Sequence, residues 1–320
     1  MAAAPLVTVV VASHGRPLRL RWLLNALEDQ SAADFEAVVV HDYDGATAAR
    51  HLDAHRLARD GRLRHEAIVP GTGSPARQRN LGWRAARAPL VAFTDDDCRP
   101  EPGWLAALVA AAEAAPGRPV QGRTRPDPFE HDVFAAPHAR TLAADPPGRF
   151  AQTCNILYPR ALLERLGGFD ERAITGEDID LSLRAAAAGA PLAAAPDALV
   201  NHAIEAQTLA GAIRANLKWR HLAYVVRRHP ELRRDCVLGV FWEPEHLEVL
   251  LAFAAALGAR RRPALALLAL PWLRREGGRR GTRPIERLVA AAELPGRAAQ
   301  ELAEVATMAA GSVRHRTLVL

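Results

Sequence analysis

Three short apolar runs, each ending on polar or acidic residues, set the pattern of the N-terminal third of the chain. Residues 6–12 are β-branched and unbroken and stop at Ser13-His14-Gly15-Arg16-Pro17. A short continuous apolar run bounded by turn residues predicts a strand buried on both faces. Leu20, Leu23, Leu24 and Leu27 follow at spacings of three and four, which predicts a helix. A second strand, 37–40, stops at His41-Asp42-Tyr43-Asp44-Gly45, and a third, 90–93, stops at Thr94-Asp95-Asp96-Asp97. Between them lie a glycine-containing loop, 70–75, and a helix over 76–88.

Strands that alternate with helices imply an α/β fold with a mainly parallel sheet, in which ligands gather at the carboxyl ends of the strands. The acidic clusters fall at two such ends. A helix over 102–115 follows, then a loop-rich stretch, 116–149, that reads as an insertion or an acceptor-facing loop. From Gln152 come a short extended segment, a helix over 159–166, the turn Gly167-Gly168, and Thr175-Gly176-Glu177-Asp178 opening another helix. After the strand-like 198–200 and His202 the pattern is helical to the end. A boundary near Arg234 divides the chain into a catalytic domain, 1–235, and a helical C-terminal region, 236–320.

Asp95, Asp96 and Asp97 are the strongest chemical signal. Adjacent carboxylates repel, and a divalent cation with oxygen ligands, Mn2+ or Mg2+, offsets that cost; a solvated acidic turn is the plain alternative. Glu177 and Asp178 also have two readings. A carboxylate of that kind can take a proton from an acceptor hydroxyl, and acids in a first helical turn, with Thr175 as a cap, complement the helix dipole.

The segments VTVVVASHGRP (7–17), VVVHDYD (38–44), ARQRNLGWRAARAPLVAFTDDDCRPEPGW (76–104), CNILYPRALLERLGGFDE (154–171) and TGEDIDLSLRAAAAG (175–189) together resemble the family 2 glycosyltransferases, over residues 5–205. The resemblance implies a GT-A fold, a Rossmann-like nucleotide-binding α/β domain with a D-x-D motif at a strand end. The function it implies is inverting, metal-dependent transfer of a sugar from a nucleotide diphosphate sugar to an acceptor hydroxyl. Carried onto this chain, Ser13 and Asp42 border the base and its ribose, and Arg79 contacts base or diphosphate. Asp95 and Asp97 bind nucleotide and metal, with Asp96 counted in the nucleotide-binding set. Asp178 is the general base, with Glu177 beside it. His202 is a third protein ligand of the metal, or else an ordinary core or surface histidine.

The chain departs from the family's pattern where Gly15 replaces a common Asn and His41 a common acid, which leaves the base open. Asn216-Leu217-Lys218-Trp219-Arg220 replaces the Q-x-x-R-W of processive members, which favours a single addition. Trp104, Trp219 and Trp242 read as core tryptophans and stay outside the site.

Composition adds boundaries. With 49% hydrophobic and 24% charged residues among 320, the chain is a folded protein, not a disordered one. Its net charge of +5 is carried almost wholly by arginine. Arg260, Arg261, Arg262, Arg274, Arg275, Arg279, Arg280 and Arg283 crowd one stretch in which Glu276 is the only acid. Apolar runs at 247–259 and 264–273 flank part of that cluster, and neither reaches the roughly 20 residues that span a bilayer. They suit a peripheral contact with an anionic membrane surface, or a helical subdomain with a solvated basic face.

Cys98, Cys154 and Cys236 show no metal or redox spacing, and residues 1–5 carry no export pattern, so a cytoplasmic setting, peripheral at the inner face of the plasma membrane, is expected. No G-x-G-x-x-G follows the first strand, which excludes a dinucleotide-dependent dehydrogenase. The arginine cluster alone is too little for nucleic acid. The alternative from another class is an inactive GT-A-like scaffold or nucleotide-binding protein at a membrane.

Overall fold

The computed structural model describes residues 5–281 and 283–320. Strand β1 (Val7–Ser13) and strand β2 (Phe35–His41) are buried along their length, as unbroken apolar runs must be when both sheet faces are covered. Between them runs α1 (Pro17–Glu28), whose Pro17 opens the first turn and whose Leu20, Leu23, Leu24 and Leu27 are fully buried. Short helices α2 (Gly45–Ala48) and α3 (Arg56–Arg59) lead to β3 (Leu63–Ala67). Helix α4 (Pro75–Arg84) follows, capped by the Ser74 hydroxyl, which accepts from the Arg77 N–H.

Next come β4 (Leu90–Asp95), β5 (Cys98–Pro100), α5 (Trp104–Ala114), β6 (Val120–Pro126) and β7 (Ile156–Pro159). Helices α6 (Arg160–Leu166) and α7 (Glu177–Ala187) and strand β8 (Ala193–His202) complete the sheet region. The eight strands lie in the order β3-β2-β1-β4-β7-β6-β8-β5. The β4–β7, β6–β7 and β5–β8 pairings are antiparallel and the other four parallel.

Register decides what meets at the edge. Ala12 lies beside Asp95 and Ser13 beside His41, so the three expected strand ends finish at one level. Cys98 pairs with His202 across β5 and β8, which sets a residue distant in sequence next to the end of the acidic triplet. The stretch expected to be loop-rich contains β6. Its V-Q-G-R-T-R-P sequence lacks an apolar run because Gln121 and Thr124 are buried through hydrogen bonds and not through apolar contact.

The chain forms two compact units, one from 5–134 with 140–205 and the other from 135–139 with 206–320. The second contains α8 (Leu209–Asn216), α9 (Leu222–Arg228), α10 (Pro244–Gly258), α11 (Leu270–Gly278) and the long α12 (Pro284–His315). The boundary expected near 235 therefore falls inside a unit. The reason is packing: α8 and α9 lie against α12, and Asn216 donates to Glu304 at 2.9 Å. Val249, Trp272 and Val305 form one core cluster of the second unit. Trp104 and Trp242 are buried, in keeping with a core role.

Candidate functional site

The site grows from the carboxyl edge of β1, β2 and β4. Ser13, fully buried, donates to Asp96 Oδ2 at 2.6 Å, and the His14 N–H donates to the same oxygen at 3.2 Å. Asp96, expected in the nucleotide-binding set, therefore turns inward, fully buried, and holds the β1 turn. Burial raises its carboxyl to about 7, against the pull of Arg16 and the Ser13 hydroxyl.

The Tyr43 hydroxyl lies 2.5 Å from Ser13 Oγ, and its ring stacks on His41 with centroids 5.1 Å apart. His41 Nδ1 accepts from the Tyr43 N–H, so its Nε2–H donates to His65 Nδ1 at 3.0 Å, and His65 in turn donates to Asp53 at 2.8 Å. Burial, and then His65, hold His41 below the usual imidazole range, which keeps it neutral. Asp42 is partly buried and bonded to the His14 ring.

Asp97 and His202 form a second group. His202 Nδ1 lies 2.9 Å from the Ala203 carbonyl, which can only accept, so Nδ1 carries a proton and the ring's other nitrogen is Nε2. That nitrogen faces Asp97 Oδ1 across 3.7 Å, and Asp97 Oδ1 is buried with no hydrogen-bond donor. A buried carboxylate oxygen that lacks a donor, with an imidazole nitrogen across such a gap, is a pair that could hold a cation. The Cys98 sulfur lies in the same group, all within 4.8 Å of one another, but burial holds the thiol well above its ordinary range, so it stays protonated and is a poor ligand for a hard ion.

Arg16 was not expected here. Its guanidinium reaches Asp97 Oδ2, Asp96 Oδ1 at 2.9 Å and Glu205 Oε1 at 2.7 Å, and Glu205 also accepts from Arg140. One buried-edge cation thus offsets the repulsion within the acidic triplet. The only local signal was an arginine in the turn after β1. Glu205 had none beyond its place three residues after His202.

Asp95 points elsewhere. Arg79, nearly fully buried, donates through Nη2 to Asp95 Oδ1 and through Nη1 to Glu177 Oε1, each at 2.8 Å. Burial alone would raise Asp95, but the Arg79 charge outweighs it and holds the carboxyl below its usual range. Arg79, expected to touch base or diphosphate, joins α4, β4 and α7 through these two ion pairs. Its neighbour Asn80 donates to the Phe169 carbonyl and to Glu171, and accepts from Trp83 and the Phe169 N–H. That grip requires Gly168, at φ 74°, where a Cβ would come 2.5 Å from Asn80 Oδ1.

Gly176, at φ 79°, starts α7 and places Glu177 and Asp178 in its first turn, where the helix dipole favours acids. Glu177 is engaged by Arg79. Asp178 accepts a local bond from the Ile179 N–H at 2.9 Å, and burial together with the charge of Glu177 pushes its carboxyl up to about 7. Of the expected residues, the fold therefore gathers Ser13, Asp42, Asp95, Asp97, His202, Glu177 and Asp178 into one unit, with Asp96 and Arg79 as its internal supports.

Residues 4–221 match the model of the family described as "Glycosyltransferase like family 2". A pre-mycofactocin glycosyltransferase of Mycobacterium tuberculosis is 28% identical over 259 residues, 73% of this chain and 50% of that protein. A validoxylamine A glucosyltransferase of Streptomyces hygroscopicus is 32% identical over 227 residues, 59% of this chain and 53% of that protein. The chain spans about half the length of the curated relatives it matches.

Among solved structures, a mannosyltransferase from Pyrobaculum calidifontis in complex with GDP-Man and Mn2+ superposes with a TM-score of 0.57 at 22% identity, covering 98% of this chain and 88% of that one. S. aureus TarS in complex with UDP does so at 0.51 and 14%, covering 97% and 92%. The fold is of the GT-A type that the sequence resembles. The family match spans the strand ends that carry the acids, and on that ground the chain belongs to glycosyltransferase-like family 2.

Proposed function

We propose that this protein is an inverting glycosyltransferase that moves a sugar from a nucleotide diphosphate sugar to an acceptor hydroxyl in a single addition. The observation that carries the reading is the Arg79 bridge, which ties the end of β4 to the start of α7 through two 2.8 Å ion pairs. A donor held at Asp95 and Asp97 therefore lies beside the helix start that carries Asp178, the residue after Glu177. The curated relatives named as glycosyl- and glucosyltransferases support the reaction class.

A sugar hydroxyl is a weak nucleophile at neutral pH. Asp178 accepts its proton as the bond to the anomeric carbon forms, and a carboxyl raised to about 7 is matched to that task near neutrality. One base and one displacement on the face opposite the leaving group give inversion. Ser13 and Asp42 border the base and ribose, and Asp95 holds the nucleotide.

Asp97 and His202 would hold a divalent cation, Mn2+ or Mg2+. When bound, that ion supplies charge compensation for the departing diphosphate. Arg16 then has the diphosphate within reach as a second cation on the same edge. The three buried free cysteines suit a reducing, cytoplasmic setting.

Calorimetric titration of wild type and Asp97→Ala with nucleotide diphosphates and their sugars, with and without Mn2+, tests the reading. Expected is Mn2+-dependent binding of one nucleotide, lost in the variant. No binding of any donor by the wild type, or binding indifferent to both metal and variant, would overturn it in favour of a scaffold.

A further inference from the structure

The arginine-rich stretch of the second unit separates into two sets once its contacts are followed. Arg275 reaches Glu248, Glu276 and Glu301, Arg279 pairs with Glu276, and Arg280 with Glu293. These cations are used within the unit. Arg260, Arg261, Arg262 and Arg274 are exposed, and among the described residues no carboxylate is paired with them. Residues 249–275 contain no acid at all.

The same segments expose apolar side chains. Phe253 and Leu257 lie one turn apart on α10 at 48% and 69% exposure. Leu267, in the short 3-10 segment Pro263–Ala269, is 64% exposed, and Leu270 and Leu273 on α11 are 40% each. Leu265 packs over Gly258 and ties the 3-10 segment back to α10, while Val249 and Trp272 face the unit's own core. A single exposed leucine needs no explanation; several on three mutually packed segments, bordered by unpaired arginines, mark an interaction surface.

We propose that this α10–α11 hairpin seats the protein on the headgroup region of an anionic lipid bilayer. The apolar side chains enter the acyl boundary and Arg260, Arg261, Arg262 and Arg274 meet lipid phosphates, the two signals that stable peripheral binding needs. Charge complementarity selects this occupant. A second copy on the same face would bring arginines together with no acid to pair them, and nucleic acid would leave the leucines without a partner. Among the described residues no helix is long and apolar enough to cross a membrane, so the contact is shallow. The inference goes beyond the proposed reaction and stands or falls without it.

The test is co-sedimentation of the full chain with vesicles of phosphatidylcholine alone and of phosphatidylcholine with phosphatidylglycerol. The variants are Arg260→Glu/Arg261→Glu/Arg262→Glu and Leu257→Asp/Leu267→Asp, all at exposed positions, with thermal melting to show that each folds. Expected is binding to the anionic vesicles only, weakened by at least about 100-fold in the charge variant and by about tenfold in the leucine variant. A wild type that does not pellet with anionic vesicles, or binding unchanged in either variant, overturns the proposal. So does a wild-type dimer in solution that Leu257→Asp/Leu267→Asp dissociates, which would assign the face to a second copy.

Discussion

Among the described residues the Asp178 carboxyl is met only by N–H groups of its own helix turn, and its burial beside Glu177 raises it to about 7. A base works when deprotonated, so a raised value predicts that kcat increases as pH climbs through about 7 and levels off above it. Asp178→Asn should lose about a thousandfold in kcat, and the pH limb with it, while nucleotide binding by calorimetry stays at the wild-type level. A limb that survives the substitution would move the base elsewhere. The role of base is what the family resemblance implies; that an acidic pair opens a helix after a glycine was legible in advance, being a local pattern. The inward turn of Asp96 was not, since all three acids of the triplet look alike until Ser13 and the His14 N–H select one of them.

At the scale of elements, the site is a meeting of α4, β4 and α7 around Arg79. The guanidinium is nearly fully buried and holds a carboxylate on each side, so its removal leaves Asp95 and Glu177 facing each other without a cation. Arg79→Met should lower stability by roughly 3 kcal/mol, read from urea unfolding, because an uncompensated buried charge costs more than a paired one contributes. With its countercharge gone, Asp95 should also titrate at a higher pH than in the wild type. Strands β1, β2 and β4 were legible from their apolar runs. β6 was not, because a strand built on Gln121, Gly122 and Thr124 has no apolar period to detect.

At the scale of the whole molecule, the described residues divide into a sheet unit that carries every candidate site residue and a helical unit with a core of its own. Trp272 anchors the latter, buried against Val249 and Val305 with its indole N–H on Glu301 at 2.8 Å. Trp272→Ala should therefore destabilise by roughly 3–5 kcal/mol and lower the melting temperature of the helical signal in circular dichroism. An unchanged melting curve would mean that this core carries little of the unit's stability. The arginine cluster makes the same point about scale: in the sequence it is one basic stretch, and in the fold three of its eight arginines, Arg275, Arg279 and Arg280, are consumed by Glu248, Glu276, Glu293 and Glu301.

Sequence by itself determined the α/β class, the strand ends and the residue types gathered there, because apolar periodicity, turn residues and acidic clusters are properties of neighbouring positions. Tertiary structure decided the rest. His202 meets Asp97 only because β5 and β8 pair with Cys98 opposite His202, and Arg79 meets Glu177 across 98 positions of chain. Arg16 and Glu205 join the acids 189 positions apart. Contacts of that separation are set by strand register and helix packing, where a shift of one residue would exchange every partner, and no local pattern encodes them.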